Sequence, residues 1–233
     1  AFRVESPDGG YVGRLQVKER FPMGVLVRNL QDISIEVRTT RVLCHVEVDE
    51  IPAFGYKTYH LVRADKFAYV PGTLAPETNV LENEHLRVKF NSDGTLDLTH
   101  KATQHTYTGL HYLEDSGETG HSWIHMVPEQ NEVITSHGGP CSIMLEEAGP
   151  LLARVKIEYR MMIPVGIEDE PGVDFCEGDL NNTKRTAEKR EMIVTSRFTL
   201  RAGSPRLDVT TSFENTCKHH RLDRKSTRLN SSH

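Results

Sequence analysis

The chain has 233 residues, 37% of them hydrophobic and 26% charged, with a formal net charge of −5. That is room for one large domain or two smaller ones with a true core, and the acidic balance argues against a nucleic-acid or anionic-membrane partner. No apolar run approaches the roughly 18 residues of a membrane span.

The start, Ala1-Phe2-Arg3-Val4-Glu5, carries neither an initiator Met nor a basic and apolar leader. A chain cut at its beginning is the expectation. From there most of the sequence reads with period two. Val42, Cys44, Val46 and Val48 alternate with Leu43, His45 and Glu47; Leu86, Val88 and Phe90 with Arg87 and Lys89; Val155, Ile157 and Tyr159 with Lys156 and Glu158; Leu207, Val209, Thr211 and Phe213 with Asp208 and Thr210. Each set predicts a strand with one apolar face on a core and one polar face toward water. Two prolines and a glycine in Val70–Thr78 predict a linker over 70–80. It separates a small β domain over 1–69 from a larger one over 81–222.

Turn chemistry supports hairpins. Asn91-Ser92-Asp93-Gly94 lies between strands at Leu86–Phe90 and Thr95–Thr99, and Asp-Gly supplies the positive φ a tight turn needs. Arg201-Ala202-Gly203-Ser204-Pro205 separates Ile193–Leu200 from Arg206–Phe213 in the same way. Helical periodicity is absent apart from a short candidate within Asn182–Arg190. The acidic stretch Glu168–Asn182 predicts a solvated loop, since its spacing does not match a calcium loop. Many short strands with regular turns predict an all-β sandwich.

Cys44, Cys141, Cys176 and Cys217 are far apart and form no CxxC pair, so no zinc ribbon or redox motif is supported. With nothing pointing to export, four free thiols in a cytoplasmic protein are expected over two disulfides. No GxSxG elbow or phosphate-binding glycine loop occurs. His121 and His125 flank Trp123 at a spacing that chelates only on a helix, whereas this segment reads as a strand. His219 and His220 are adjacent and would face opposite ways on a strand.

The last eleven residues, Asp223–His233, change character: one apolar residue, no alternation, and a basic balance. They resemble, at every codon, the conceptual translation of a common short-read sequencing adapter. A non-native, disordered tail over 223–233 is the expectation, with the native sequence breaking off at Leu222.

Four segments, in order, carry a family resemblance. Pro52-Ala53-Phe54-Gly55-Tyr56-Lys57-Thr58-Tyr59 resembles the closing strand of a small β domain. Leu81–Val88 followed by Asn91–Thr95 resembles the opening of a large β-sandwich. Tyr112–Gly120 resembles the acidic loop that follows it. Thr199–Asp208 and Phe213–Leu222 resemble its late "GSxRLD" and "DHRLR" stretches. Together they are similar to the C-terminal β region of glycoside hydrolase family 38, the α-mannosidases, in its bacterial, mannosylglycerate-hydrolase-like branch. His219 stands where the family usually has Asp, and His121-Ser122 replaces an acidic pair.

The resemblance implies the first part of a large antiparallel, mutarotase-like supersandwich. It also implies a retaining α-mannosidase with a carboxylate nucleophile, a general acid and a bound zinc. In the family those groups lie in an N-terminal catalytic domain, so the resemblance implies no catalytic residue, metal ligand or cofactor in this chain. The partners it implies are that catalytic domain and a mannoside substrate; the oligomeric state, a homo-oligomer included, stays open. Trp123, Glu114 and Asp115 are the candidates for a sugar cleft: an aromatic platform for C–H faces and two carboxylates for hydroxyls. Core-anchoring and turn-capping roles compete for the same residues. A stand-alone carbohydrate-binding or scaffold sandwich is the rival reading. A mutarotase-type enzyme is a further one, and it would need an in-chain acid–base pair.

Overall fold

Most of the regular elements follow from the period-two pattern. The computed structural model describes residues 2–10, 12–28, 34–48, 51–63, 72–120, 124–168 and 183–226, and its regular elements are all β-strands. The chain divides into two units, one of Ala1–Leu74 with Glu147–Ala153, the other of Ala75–Glu146 with Arg154–His233. The divisions fall between Leu74 and Ala75 and on either side of Glu147–Ala153.

In the first unit, β1 (Phe2–Glu5) is flanked by β2 (Val12–Gly13) and β5 (His60–Arg63), both antiparallel to it. The segment Pro52–Tyr59 was expected as the closing strand; it instead holds a turn at Ala53-Phe54 and irregular backbone, and the strand begins only at His60. The cause is local. Gly55 N–H bonds the Pro52 carbonyl at 3.1 Å, and Phe54 takes a φ of 57°. Long strands β3 (Leu15–Arg28) and β4 (Ser34–Val46) form a separate two-stranded ribbon with a bulge between Val17 and Glu19. At its base the buried Gln16 amide accepts from the backbone N–H groups of Leu151 and Leu152 at 2.9 and 3.0 Å. It donates to the Leu152 carbonyl and to Glu147, both at 2.9 Å. One primary amide thereby satisfies a turn on both its polar sides, which is why Glu147–Ala153 groups with this unit. The expectation that Val42–Val48 puts an apolar face on a core is not met. Val42, Leu43, Val46 and Val48 are all exposed. Period two records alternation of side chains and says nothing of whether a layer lies over them.

The second unit is a sandwich. One sheet has the order β6-β7-β8-β9, from Val80–Glu82, Leu86–Phe90, Leu96–His100 and His105–Leu110. Another has the order β12-β13-β16-β17, from Cys141–Glu147, Leu152–Pro164, Lys189–Arg201 and Leu207–Phe213. A third runs β11-β10-β18, from Ile134–Thr135, Tyr112–Gly117 and His220–Lys225; β14 (Ile167–Glu168) pairs with β15 (Lys184–Arg185). Strands β13 and β16 alternate as read from sequence and supply Val155, Ile157, Tyr159, Met192, Val194 and Phe198 to the core. Phe198 meets Phe90 of the first sheet at 5.1 Å and, edge-on, the His111 ring at 4.7 Å. Asn83 ties two distant turns together: its Oδ1 accepts from His85 and Leu86 N–H, and its Nδ2 donates to the Arg201 and Ser204 carbonyls, both at 2.8 Å.

The short helix expected within Asn182–Arg190 is absent. Lys184–Arg185 is β15 and Lys189 begins β16. A segment that short nucleates helix poorly in isolation, and pairing with β14 and β17 decides its backbone instead. Lys184 and Arg185 also cross to Gln130. The tail expected to be disordered from Asp223 extends β18 through Lys225, paired to Tyr112–Glu114. That pairing is main-chain and tolerant of side-chain identity, so it does not bear on the origin of those residues. The described cysteines, Cys44, Cys141 and Cys217, are free thiols, and Cys176 lies outside the described residues.

The Asp-Gly hairpin is as predicted. Gly94 has a φ of 84°, and a Cβ there would collide with the Tyr159 ring, whose hydroxyl donates to the Gly94 carbonyl at 2.7 Å. Gly203 has a φ of 72°, and a Cβ there would meet only Glu84 Oε1, at an ordinary contact distance of 3.7 Å. Gly94→Ala should therefore cost about 2–4 kcal/mol, the sum of backbone strain and overpacking, and Gly203→Ala only about 1 kcal/mol. Denaturant unfolding of the two variants measures the difference; equal losses would remove the Tyr159 contact as a cause.

Candidate functional site

The acidic segment expected as a loop is mostly strand: Tyr112–Gly117 is β10, at the centre of its three-stranded sheet. Asp, Glu, Ser and Gly are turn formers, and pairing on both sides overrides that preference. Alternation then decides which side chains turn inward. Leu113, Asp115 and Gly117 are buried, whereas Tyr112, Glu114 and Ser116 are half-buried.

Asp115 is wholly buried and fully engaged. Its Oδ1 accepts from Arg185 Nη2 of β15, and its Oδ2 meets His220 Nδ1 of β18 at 2.5 Å. Arg185 Nη1 donates to the Glu132 carbonyl at 2.7 Å, and His220 Nε2 meets Asn215 Oδ1 at 2.9 Å. The Asp115 carboxylate is thus enclosed by a guanidinium and an imidazole, with no free face for a sugar hydroxyl. The reading of Asp115 as a cleft residue is corrected: burial makes it a structural ion-pair residue. Glu114, on the opposite phase, keeps partial exposure and lies 3.3 Å from Lys225 Nζ. Trp123, with His121 and Ser122, lies outside the described residues.

The segment after β10 is organised by Glu118. Its Oε1 accepts from the N–H groups of Gly120 and Met126 at 2.7 and 3.0 Å, and its Oε2 pairs with His125 Nδ1. Burial works to raise its pKa, but these hydrogen bonds outweigh it and hold the carboxyl below its usual range. His219 takes a φ of 48° just before β18, while His220 points into the Asp115 network. Sequence reasoning weighed His220 only as a chelator and passed over Arg185. The inward phase of Asp115 between Leu113 and Gly117 was the available signal for a buried charge. Its partners, 70 and 105 residues away, left none.

Among the described residues no group of three His, Cys, Asp or Glu side chains is placed to hold a metal. They do not fit a zinc centre, and no chemistry is routed through one here. No helix among them is long and apolar enough to cross a membrane.

The antiparallel sandwich and its buried ion network define a β-sandwich domain. By comparison with known families, the chain belongs to the glycosyl hydrolases family 38 C-terminal domain, whose model matches residues 81–231. It is 25% identical over 150 residues to a protein of Halalkalibacterium halodurans named "Putative mannosylglycerate hydrolase", covering 63% of this chain and 17% of that one. Two solved structures from Enterococcus faecalis share the fold at 24% identity and cover 95% of this chain. One is an alpha-mannosidase from strain V583, with a TM-score of 0.75, and the other a protein of glycosyl hydrolase family 38, with a TM-score of 0.74. The chain spans about a quarter of each structure's length, 25% and 26%.

Two predictions follow from the buried groups. Arg185→Met leaves the buried Asp115 with His220 as its remaining side-chain partner and should cost about 3–5 kcal/mol, whereas Arg185→Met with Asp115→Leu should cost clearly less than the two single changes summed. A double-mutant cycle in denaturant checks this, and strict additivity would refute the coupling.

His111 is the second group. Its Nε2 lies 2.9 Å from Ser196 Oγ, and burial, with Arg224 adding repulsion, pulls its pKa from 6.5 to about 4. The unfolded chain therefore binds this proton between pH 6.5 and about 4 and the folded chain does not. The stability His111 contributes is complete above 6.5, falls through that window as pH drops, and levels off below it. His111→Gln should flatten the slope there by about 1.4 kcal/mol per pH unit, read from unfolding midpoints across the window.

Proposed function

We propose that this chain is the non-catalytic C-terminal β portion of a zinc-dependent retaining α-mannosidase, packing on a catalytic domain and rimming the sugar cleft. The observation that carries the reading is the family match over 81–231 in a chain that spans a quarter of an alpha-mannosidase's length. The chemistry agrees with it. A retaining glycosidase needs two carboxyl groups about 5–5.5 Å apart across an open cleft. Asp115 is enclosed by Arg185 and His220 and is not such a group.

Zinc, nucleophile and general acid are assigned to the remainder of the enzyme. Glu114 and Trp123 are the residues of this chain proposed to reach the sugar, with Glu114 held by Lys225 in a half-exposed position. Substrates are α-mannosides, and a mannosylated small acid, as in the name of the Halalkalibacterium relative, belongs among those assayed. A cytoplasmic location is part of the proposal, in keeping with three free thiols.

The test compares the isolated 233-residue chain with the full-length gene product on an aryl α-mannoside and on mannosylglycerate, with zinc added. The full-length protein should turn over at least one of them, and the isolated chain neither. In the full-length protein Glu114→Ala should raise KM several-fold with kcat nearly unchanged, as loss of a binding contact does. Turnover by the isolated chain, or an inactive full-length protein, would overturn the assignment. Tight mannoside binding by the isolated chain, with no activity in the full-length protein, would identify a carbohydrate-binding module instead.

A further inference from the structure

The β3–β4 ribbon has two unlike faces. Residues paired across an antiparallel ribbon point the same way, so the register sorts the side chains. Phe21, Met23, Val25 and Val27 of β3 share a face with Ile35 and Val37 of β4; Val25 pairs Val37, and Val27 pairs Ile35. Arg41 lies over the Phe21 ring at 6.0 Å on this face. The other face carries Arg20, Leu26, Arg28, Glu36 and Arg38, and Gly24 leaves room there for the Glu36 side chain. Val25, Val27, Ile35 and Val37 are exposed at 36–51%. Singly exposed valines are ordinary; four in two adjacent rungs form a contiguous patch of the kind that marks a contact surface. A two-stranded ribbon alone is only marginally stable in water, so a cover for this face would also stabilise the ribbon.

Area and charge narrow the occupant. From Glu19 to Arg28 the ribbon is about 30 Å long and about 10 Å wide, so two copies face to face would bury on the order of 600 Å². Stable association of separate chains takes about 1,200–2,000 Å². A body joined through the same polypeptide escapes the translational and rotational cost of association, and a patch of this size suffices for it. On the Val25–Val37 face Arg41 is matched by Glu19, which the register sets on the same side with Leu43, whereas Arg20, Arg28 and Arg38 lie on the opposite face. The complementary surface is therefore apolar.

We propose that the Val25–Val37 face of the ribbon is a docking arm seated on an apolar surface of the remainder of the same enzyme. This rests on the reading of the chain as part of a larger α-mannosidase.

Hydrogen exchange and thermal unfolding of the full-length enzyme test it. Ribbon amides, Val25 and Val37 among them, should exchange at least tenfold more slowly in the full-length enzyme than in the isolated chain. Val25→Glu with Val37→Glu should abolish that protection and lower the full-length melting midpoint by several degrees. Leu26→Glu, on the opposite face, should leave both within about a degree. In the isolated chain the two variants should behave alike. Equal behaviour of the two variants in the full-length enzyme would overturn the proposal. So would protection that rises with protein concentration and disappears when a dimer dissociates, since a second copy would then be the cover. Activity of the unaltered full-length enzyme is scored separately: an active enzyme with an unprotected ribbon removes the docking arm alone, and an inactive one removes the mannosidase reading.

Discussion

The second unit depends on one buried charge. Asp115 sits at the inward phase of a central strand, where an unpaired carboxylate would be prohibitively costly. Arg185 and His220 meet it from two other strands, and Asn215 and the Glu132 carbonyl complete the set. Such a network adds little to stability over a well-packed apolar core, but losing one member is expensive because the rest stay buried. Its effect is on choice of arrangement. Strand β10 can pair with β18 in a register that sets Gly117 against His220 and Asp115 against Leu222. A slip of one residue would turn His220 away from the carboxylate and Asp115 toward water.

That same enclosure separates scaffold from chemistry. An acid that serves a glycosidase must face a cleft with its charge open to modulation. Asp115 is committed to the Arg185 guanidinium and the His220 imidazole, and its neighbour Glu114 faces outward beside Lys225. Two adjacent carboxylates in one segment thus have opposite environments, assigned by nothing more than the two-residue period of a strand. The rest of the unit is built to be rigid: Phe90 on Phe198, Tyr159 bonded to the hairpin turn, and Asn83 bridging two turns.

The first unit follows the opposite economy. Its ribbon is anchored at its base to the turn at Glu147–Ala153, by the Gln16 amide and by His45 against Glu147, and then extends with both faces exposed. Backbone pairing and β-branched side chains hold it as a ribbon, while burial contributes little. Where the sandwich spends its apolar residues on its own core, the ribbon presents them outward.

The sequence by itself determined the local rules. Alternation at Leu86–Phe90, Val155–Tyr159 and Leu207–Phe213 specified strands, because backbone geometry alone sends successive side chains to opposite faces. Asp93-Gly94 specified the hairpin, because a positive φ there suits glycine. The motif order, from Glu82-Asn83-Glu84 to Gly203-Ser204-Pro205, carried the family, since those residues fill turns whose hydrogen bonds leave few substitutes. Tertiary structure decided what needs a distant partner. Tyr112–Gly117 is strand and not loop because β11 and β18 pair with it. Lys184–Arg185 is strand and not helix because β14 and Gln130 hold it. Val42 and Val46 are exposed because no layer of the described residues covers them, a fact no periodicity encodes. Asp115 is a buried structural anchor because a chain folded back over 70 and 105 residues brings Arg185 and His220 to it, and sequence spacing holds no record of that approach.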